Sequence, residues 1–149
     1  MKKAKRKPGE LRSQIAAMPV RLGQGGVPEI LLVTSRTTRR WIVPKGWPIK
    51  GLADHEAAAR EAYEEAGLIG QIGRKPVGRY RYWKRLRDHF TFCEVKLYLL
   101  EVQQQLADFP EREQRELHWF SLADAADLVD EPGLGSAIRD LDRKAALAA

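Results

Sequence analysis

The chain has 149 residues, 44% of them apolar and 31% charged, a balance that fits one soluble domain with a real core. No apolar run approaches the roughly 18 residues of a membrane span. The basic opening Met1-Lys2-Lys3-Ala4-Lys5-Arg6-Lys7 leads into no apolar stretch, so neither a membrane segment nor a secretory signal is expected. The net charge of +6 owes most to that opening: five basic residues lie among the first seven, and the rest of the chain holds 21 basic against 20 acidic groups.

Residues 1–10 read as a basic tail ending at Pro8-Gly9, and 11–149 as a single domain. Residues 13–22 and 29–35 predict strands, with Gly23-Gln24-Gly25-Gly26 as the turn of a hairpin. Trp41 to Val43 is a short strand stopped by Pro44, and Pro44 to Leu52 reads as loop, since Pro44, Gly46, Pro48 and Gly51 disfavour regular structure. Asp54 offers an N-cap for a helix running to about Ala66, with Gly67 as its left-handed C-cap. Val77–Lys84 and Phe90–Val102 predict a pair of strands, and Leu117–Leu122 a short one. Ala123–Val129 and Gly133–Ala148 predict helices. Strands interleaved with helices imply α/β layers around one sheet. The lone Cys93 has no partner for an internal disulfide and suits a buried strand thiol in a reducing, cytoplasmic setting.

Charge is distributed unevenly. Arg36, Arg39, Arg40, Lys45 and Lys50 follow one another with no acidic residue between, as do Arg74, Lys75, Arg79, Arg81, Lys84, Arg85 and Arg87. Such segregation suits either a solvated face or a basic surface meeting an anion.

At about 100° per residue, Ala59, Ala62, Tyr63 and Ala66 fall on one face of the 54–66 helix and read as its core stripe. Glu61, Glu64 and Glu65 fall nearly opposite, at spacings that bring carboxylates together within one turn. Like charges so placed repel by about 0.2–0.5 kcal/mol per pair, and a divalent cation would reverse the sign. Oxygen ligands suit Mg²⁺ or Mn²⁺. An exposed helix face, with Arg60 paired to Glu64, is the plainer alternative. The loop before the helix favours the cation: Gly46 and Gly51 let backbone approach a metal or phosphate, and Lys45 and Lys50 add positive charge.

Gly46 and the run Arg60-Glu61-Ala62-Tyr63-Glu64-Glu65-Ala66-Gly67-Leu68 resemble the signature of the Nudix hydrolases. The resemblance spans 23 residues, with Leu52 standing where the family has its first Glu. It implies an α/β/α sandwich with a mixed sheet and a central catalytic loop and helix. It also implies Mg²⁺ or Mn²⁺ on Glu61, Glu64 and Glu65, with help from a backbone carbonyl near Lys45 or Gly46. Arg60 would orient the glutamates, and a Glu from a late loop would help activate water. Among Glu111, Glu113 and Glu116 the choice falls on Glu113, because Glu116 adjoins the strand containing Trp119.

The stretch Trp41-Ile42-Val43-Pro44-Lys45-Gly46-Trp47-Pro48 looks like the diphosphoinositol polyphosphate phosphohydrolases and their bacterial relatives, which also cleave diadenosine polyphosphates. The expected partner is then a small polyphosphorylated molecule, held by Arg36, Arg39, Arg40, Lys45, Lys50, Arg79 and Arg81. Membrane and nucleic acid are not expected partners. Another nucleoside diphosphate-linked compound is a second possibility for the substrate. Leu52 motivates a different alternative, a non-catalytic module that binds nucleic acid or other polyanions.

Overall fold

The structure is a computed structural model and describes residues 11–148; the expected basic tail, residues 1–10, lies outside the described residues. The elements run β1 (Arg12–Leu22), a single 3-10 turn at Gln24–Gly26, β2 (Pro28–Thr34), β3 (Trp41–Ile42), β4 (Lys45–Gly46), α1 (Asp54–Ala66), β5 (Leu68–Ile72), β6 (Gly78–Arg85), β7 (Phe90–Gln105), β8 (Leu117–Ser121), α2 (Leu122–Leu128) and α3 (Pro132–Ala148). No helix among the described residues is long and apolar enough to cross a membrane.

The strands form one mixed sheet with the central order β3-β2-β1-β7-β5. β1 and β7 run parallel from Arg12 opposite Cys93 to Val20 opposite Glu101, while β5 and β6 pair with β7 antiparallel. The expected hairpin of β1 and β2 is present, but short: Val20, Arg21 and Leu22 pair with Ile30, Glu29 and Pro28. Along the first half of β1 the neighbour is β4, with Gly46 opposite Ile15 and Lys45 opposite Ala16. Pro44 to Leu52 is therefore not all loop, as its prolines and glycines suggested. Two residues of it close a gap beside β1, and the Pro44 carbonyl accepts the Ala17 N–H at 3.0 Å.

Alternation along the strands sends side chains to two cores. On one face Ala16, Met18, Ile30, Leu32, Val95 and Leu97 pack beneath Leu122, Ala125, Leu134 and Ile138 of α2 and α3. On the other, Ile15, Ala17, Leu31, Val33 and Leu100 pack against Ala57, Ala58, Ala62 and Ala66 of α1. The result is the α/β/α sandwich with a mixed sheet. Burying a leucine or isoleucine fully contributes roughly 1.5–3 kcal/mol, so both layers hold the sheet firmly.

The start of α1 differs from expectation. Ala53 is its N-cap, and Asp54 is the first helical residue. The Ala53 N–H donates to Glu56 Oε1 at 3.0 Å, and the Asp54 carboxylate accepts from Lys96 Nζ of β7 at 2.6 Å. The helix ends as expected, with Gly67 left-handed at φ 69°. Its buried face is turned from the one the wheel suggested. Ala57, Ala58, Ala62, Glu65 and Ala66 are buried, Ala59 is half-buried, and Tyr63 is exposed.

Candidate active site

The last two turns of α1 carry Glu61, Glu64 and Glu65. On a wheel of about 100° per residue, Glu61 and Glu65 lie inside the arc bounded by the buried Ala57 and Ala66. They face inward, not opposite the core as the sequence suggested. Alanine makes that possible, because its methyl groups let the helix lie close to the sheet and to the 44–53 loop. At Gly46 a methyl would displace the Glu61 carboxyl: a Cβ there would stand 2.6 Å from Glu61 Cδ. The glycine of β4 and the glutamate of α1 thus fit as a pair.

Glu65 is 2% exposed. Burial raises its carboxyl to about 9, a hydrogen bond with Glu61 pushes the same way, and the Arg115 guanidinium opposes both. Glu61 is raised too, first by burial, although its hydrogen bond with Glu65 works against the shift. Burial and the closeness of the two carboxyls disfavour charging both at once. Arg115 Nη2 lies 3.4 Å from Glu65 Oε1, yet that oxygen has no hydrogen-bond partner among the described residues. The contact is Coulombic rather than a directed hydrogen bond.

These residues join one cleft of about 840 Å³, bordered by Lys45, Gly46, Glu61, Glu64, Glu65 and Glu111 on one side and by Tyr80, Tyr82 and Lys84 on another. Lys45 is half-buried beside the carboxyl pair, with Nζ 5.0 Å from the Tyr82 ring centre. Desolvation lowers its ammonium to about 8, with Lys84 adding to the effect and Glu65 opposing it. The Tyr82 hydroxyl donates to Gln14 Oε1 at 2.5 Å, while the buried Tyr80 hydroxyl has no partner among the described residues.

The structure distributes the residues expected to act together. Arg36, Arg40 and Lys45 border the cleft. Arg39, the one described non-glycine residue with positive φ, at 57°, turns Nη1 to the Gln114 carbonyl at 3.2 Å. Lys50 does not border the cleft. Arg79 and Arg81 lie on the other face of β6 from Tyr80 and Tyr82, where both reach Glu94, at 3.4 and 3.0 Å, and neither borders the cleft. Lys84, Arg85 and Arg87 border it instead. Arg60 is exposed and edges a separate hollow with Leu52, Glu56 and Tyr63.

The late loop also differs from expectation. Glu113 is 85% exposed at its side chain and touches Arg112 at 3.4 Å, away from the cleft. Glu111 borders the cleft, and its N–H donates to the Glu64 carbonyl at 2.9 Å. Arg115, which the sequence reading passed over, has a side chain 8% exposed and meets both Glu65 and Glu111. Sequence spacing could not single it out: Glu111 and Arg115 stand four apart, but in a turn rather than a helix, where that spacing implies no ion pair.

Glu61 and Glu65 are the carboxyls brought into hydrogen-bonding contact; Glu64 and Glu111 act on Glu61 through space as charges. Among the described residues no group of three or more His, Cys, Asp or Glu is clustered closely enough to enclose a metal ion. The pair nevertheless fits a hard cation. It offers a buried carboxyl oxygen without a hydrogen-bond partner among the described residues, and two acids disfavoured from ionising together unless a cation lies between them.

Comparison with known proteins places the chain among its relatives. The family model for the NUDIX domain matches residues 11–141. An Arabidopsis thaliana protein described as "Nudix hydrolase 16, mitochondrial" is 33% identical over 118 residues, covering 76% of this chain and 65% of that protein. The human "Diphosphoinositol polyphosphate phosphohydrolase 3-beta" is 38% identical over 104 residues, covering 65% of this chain and 57% of that protein. The chain thus spans less than two thirds of either relative's length. A crystal structure of a C. elegans Ap4A hydrolase binary complex superposes with a TM-score of 0.65 at 23% identity, covering 91% of this chain and 98% of that one. At that identity the likeness speaks for the fold.

Proposed function

We propose, from the premise that this chain belongs to the NUDIX domain family, that it hydrolyses a phosphoanhydride bond in a small polyphosphorylated molecule with the help of Mg²⁺ or Mn²⁺. The observation that carries the reading is the inward-facing Glu61–Glu65 pair under Gly46, with one oxygen of Glu65 buried and without a hydrogen-bond partner among the described residues. When bound, the cation supplies charge neutralisation and polarisation of the phosphoryl oxygens. Glu61 and Glu65 would hold it, with Glu64 and a backbone carbonyl near Lys45 or Gly46 as further ligands. Glu111, beside them in the cleft, is better placed than Glu113 to take a proton from the attacking water.

The same cleft supplies cations for phosphate. Lys45 binds from within, and Arg36, Arg40, Lys84, Arg85 and Arg87 from the rim. The cation density and the relative named for diphosphoinositol polyphosphates favour those compounds or diadenosine polyphosphates as substrates. The test is a screen of purified protein with Mg²⁺ and Mn²⁺ against inositol pyrophosphates, diadenosine polyphosphates, nucleoside diphosphate sugars and oxidised nucleotides. Hydrolysis is expected in the first two classes, and Glu64→Gln should lower it on the order of 100-fold. No turnover by wild type on any compound would sink the reading.

A second reading is favoured by Leu52 and by the absence of a three-carboxylate cluster among the described residues: a module that binds polyanions without cleaving them. It requires binding of an inositol pyrophosphate in EDTA, with affinity falling as salt rises.

A further inference from the structure

We propose that Arg115 is a positioning residue of this site: its buried guanidinium ties the end of β2, the Glu111 loop and the carboxyl of Glu65 into one unit, and thereby fixes where Glu111 stands. The inference rests on the hydrolase reading above.

Three contacts carry it. Arg115 Nη1 donates to the Thr34 carbonyl at 3.0 Å, Nε donates to Glu111 Oε1 at 3.3 Å, and Nη2 faces Glu65 Oε1 at 3.4 Å. Thr34 ends β2, Glu65 lies in the last turn of α1, and Glu111 belongs to the loop before β8. One planar fork with five N–H donors can meet three such acceptors at once; a lysine ammonium cannot reproduce those fixed directions. With a side chain only 8% exposed, this guanidinium is held in place far more tightly than a surface arginine.

The loop gives the clamp its purpose. Its ends are fixed through the backbone: the Glu111 N–H donates to the Glu64 carbonyl at 2.9 Å, and the Thr34 N–H donates to the Glu116 carbonyl at 3.0 Å. The Glu116 N–H donates to Thr34 Oγ1 at 2.9 Å. Between those ends Arg112, Glu113 and Gln114 are exposed. The Glu111 side chain would share their freedom without the ion pair to Arg115. A guanidinium that only neutralised buried charge would affect stability; one that places Glu111 must also affect turnover.

The experiment uses the full chain in four forms besides wild type: Arg115→Gln, Arg115→Lys, Glu111→Gln and the double variant Arg115→Gln/Glu111→Gln. Hydrogen exchange without ligand is read at the Glu111 amide and at Leu97 and Tyr98 of β7. Arg115→Gln is expected to speed exchange at Glu111 at least about tenfold with the β7 amides unchanged, and Arg115→Lys to give an intermediate rate. With diadenosine tetraphosphate and Mg²⁺, Arg115→Gln should lower kcat about 10- to 100-fold with KM within about threefold, and Glu111→Gln should add nothing further in the double variant. Unchanged exchange at Glu111, a rise shared by every amide, or a kcat kept despite a lower Tm would each overturn the proposal. If Arg115→Gln does not fold, Arg115→Lys decides: an intermediate rate at Glu111 supports the clamp and a wild-type rate refutes it. Should wild type cleave no phosphoanhydride at all, the hydrolase reading fails by itself, and the exchange data still decide the clamp.

Discussion

At Gly46 the missing side chain is what lets Glu61 lie where it does. A methyl there would stand 2.6 Å from Glu61 Cδ. Glu61 is half-buried, so it can swing aside and let the fold survive. Gly46→Ala is therefore expected to lower kcat on the order of 100-fold by misplacing one carboxylate, while Tm moves by only a few degrees. Activity within twofold of wild type would show that the close fit of glycine and glutamate is unimportant. The same closeness explains why Glu65 matters beyond its charge. Its environment leaves one oxygen unsatisfied, a cost that a folded chain accepts where a ligand is to be bound.

Among the elements, α1 shows how a helix end fixes a site. Gly67 is left-handed, and a Cβ on it would meet Phe109 Cδ1 at 2.5 Å and the Leu106 carbonyl at 2.9 Å. Gly67→Ala should destabilise the protein by at least about 1–2 kcal/mol, measured by urea unfolding; a smaller loss would mean that the cap relaxes freely. This cap was legible in the chain because its determinants are adjacent residues. The facing of α1 was not. Alanines occupy several sides of the helix, so the wheel gave a period without a phase, and Tyr63 was read as core although it is exposed. β4 was hidden because two residues pairing with β1 need no strand-like composition. β5 went unnoticed for a related reason, since Gly70 interrupts its short apolar run. Arg115 needed the fold itself: its partners Thr34 and Glu65 stand 81 and 50 positions earlier in the chain. The Glu61–Glu64–Glu65 spacing and the Gly46 loop, by contrast, were visible from the start.

The layers of the whole molecule are pinned as well as packed. Lys96 of β7 donates to Asp54 at the start of α1 at 2.6 Å, holding the helix over its sheet. That hydrogen bond raises the Lys96 ammonium above its ordinary value. A raised pKa means that the stabilisation is complete below the ordinary lysine range and is lost as pH climbs through the folded-state value. Both partners are partly exposed, so Lys96→Met should cost only about 0.5 kcal/mol at neutral pH. The difference from wild type should shrink above about pH 10.5, as followed by urea unfolding across that range; a gap that stays constant with pH would assign the loss to packing instead.

The parallel pairing of β1 with β7 also sets an order of events during synthesis. β1 emerges from the ribosome early, but the strand that completes its far edge spans residues 93–101. Until then this central strand has only its hairpin with β2 and the β4 strip beside it. Closing so long a loop is slow, and an unpaired central edge is open to pairing with another chain. Overexpression should therefore stress this protein at the nascent-chain stage, with slower elongation and chaperone capacity governing the soluble yield more than the stability of the finished sandwich.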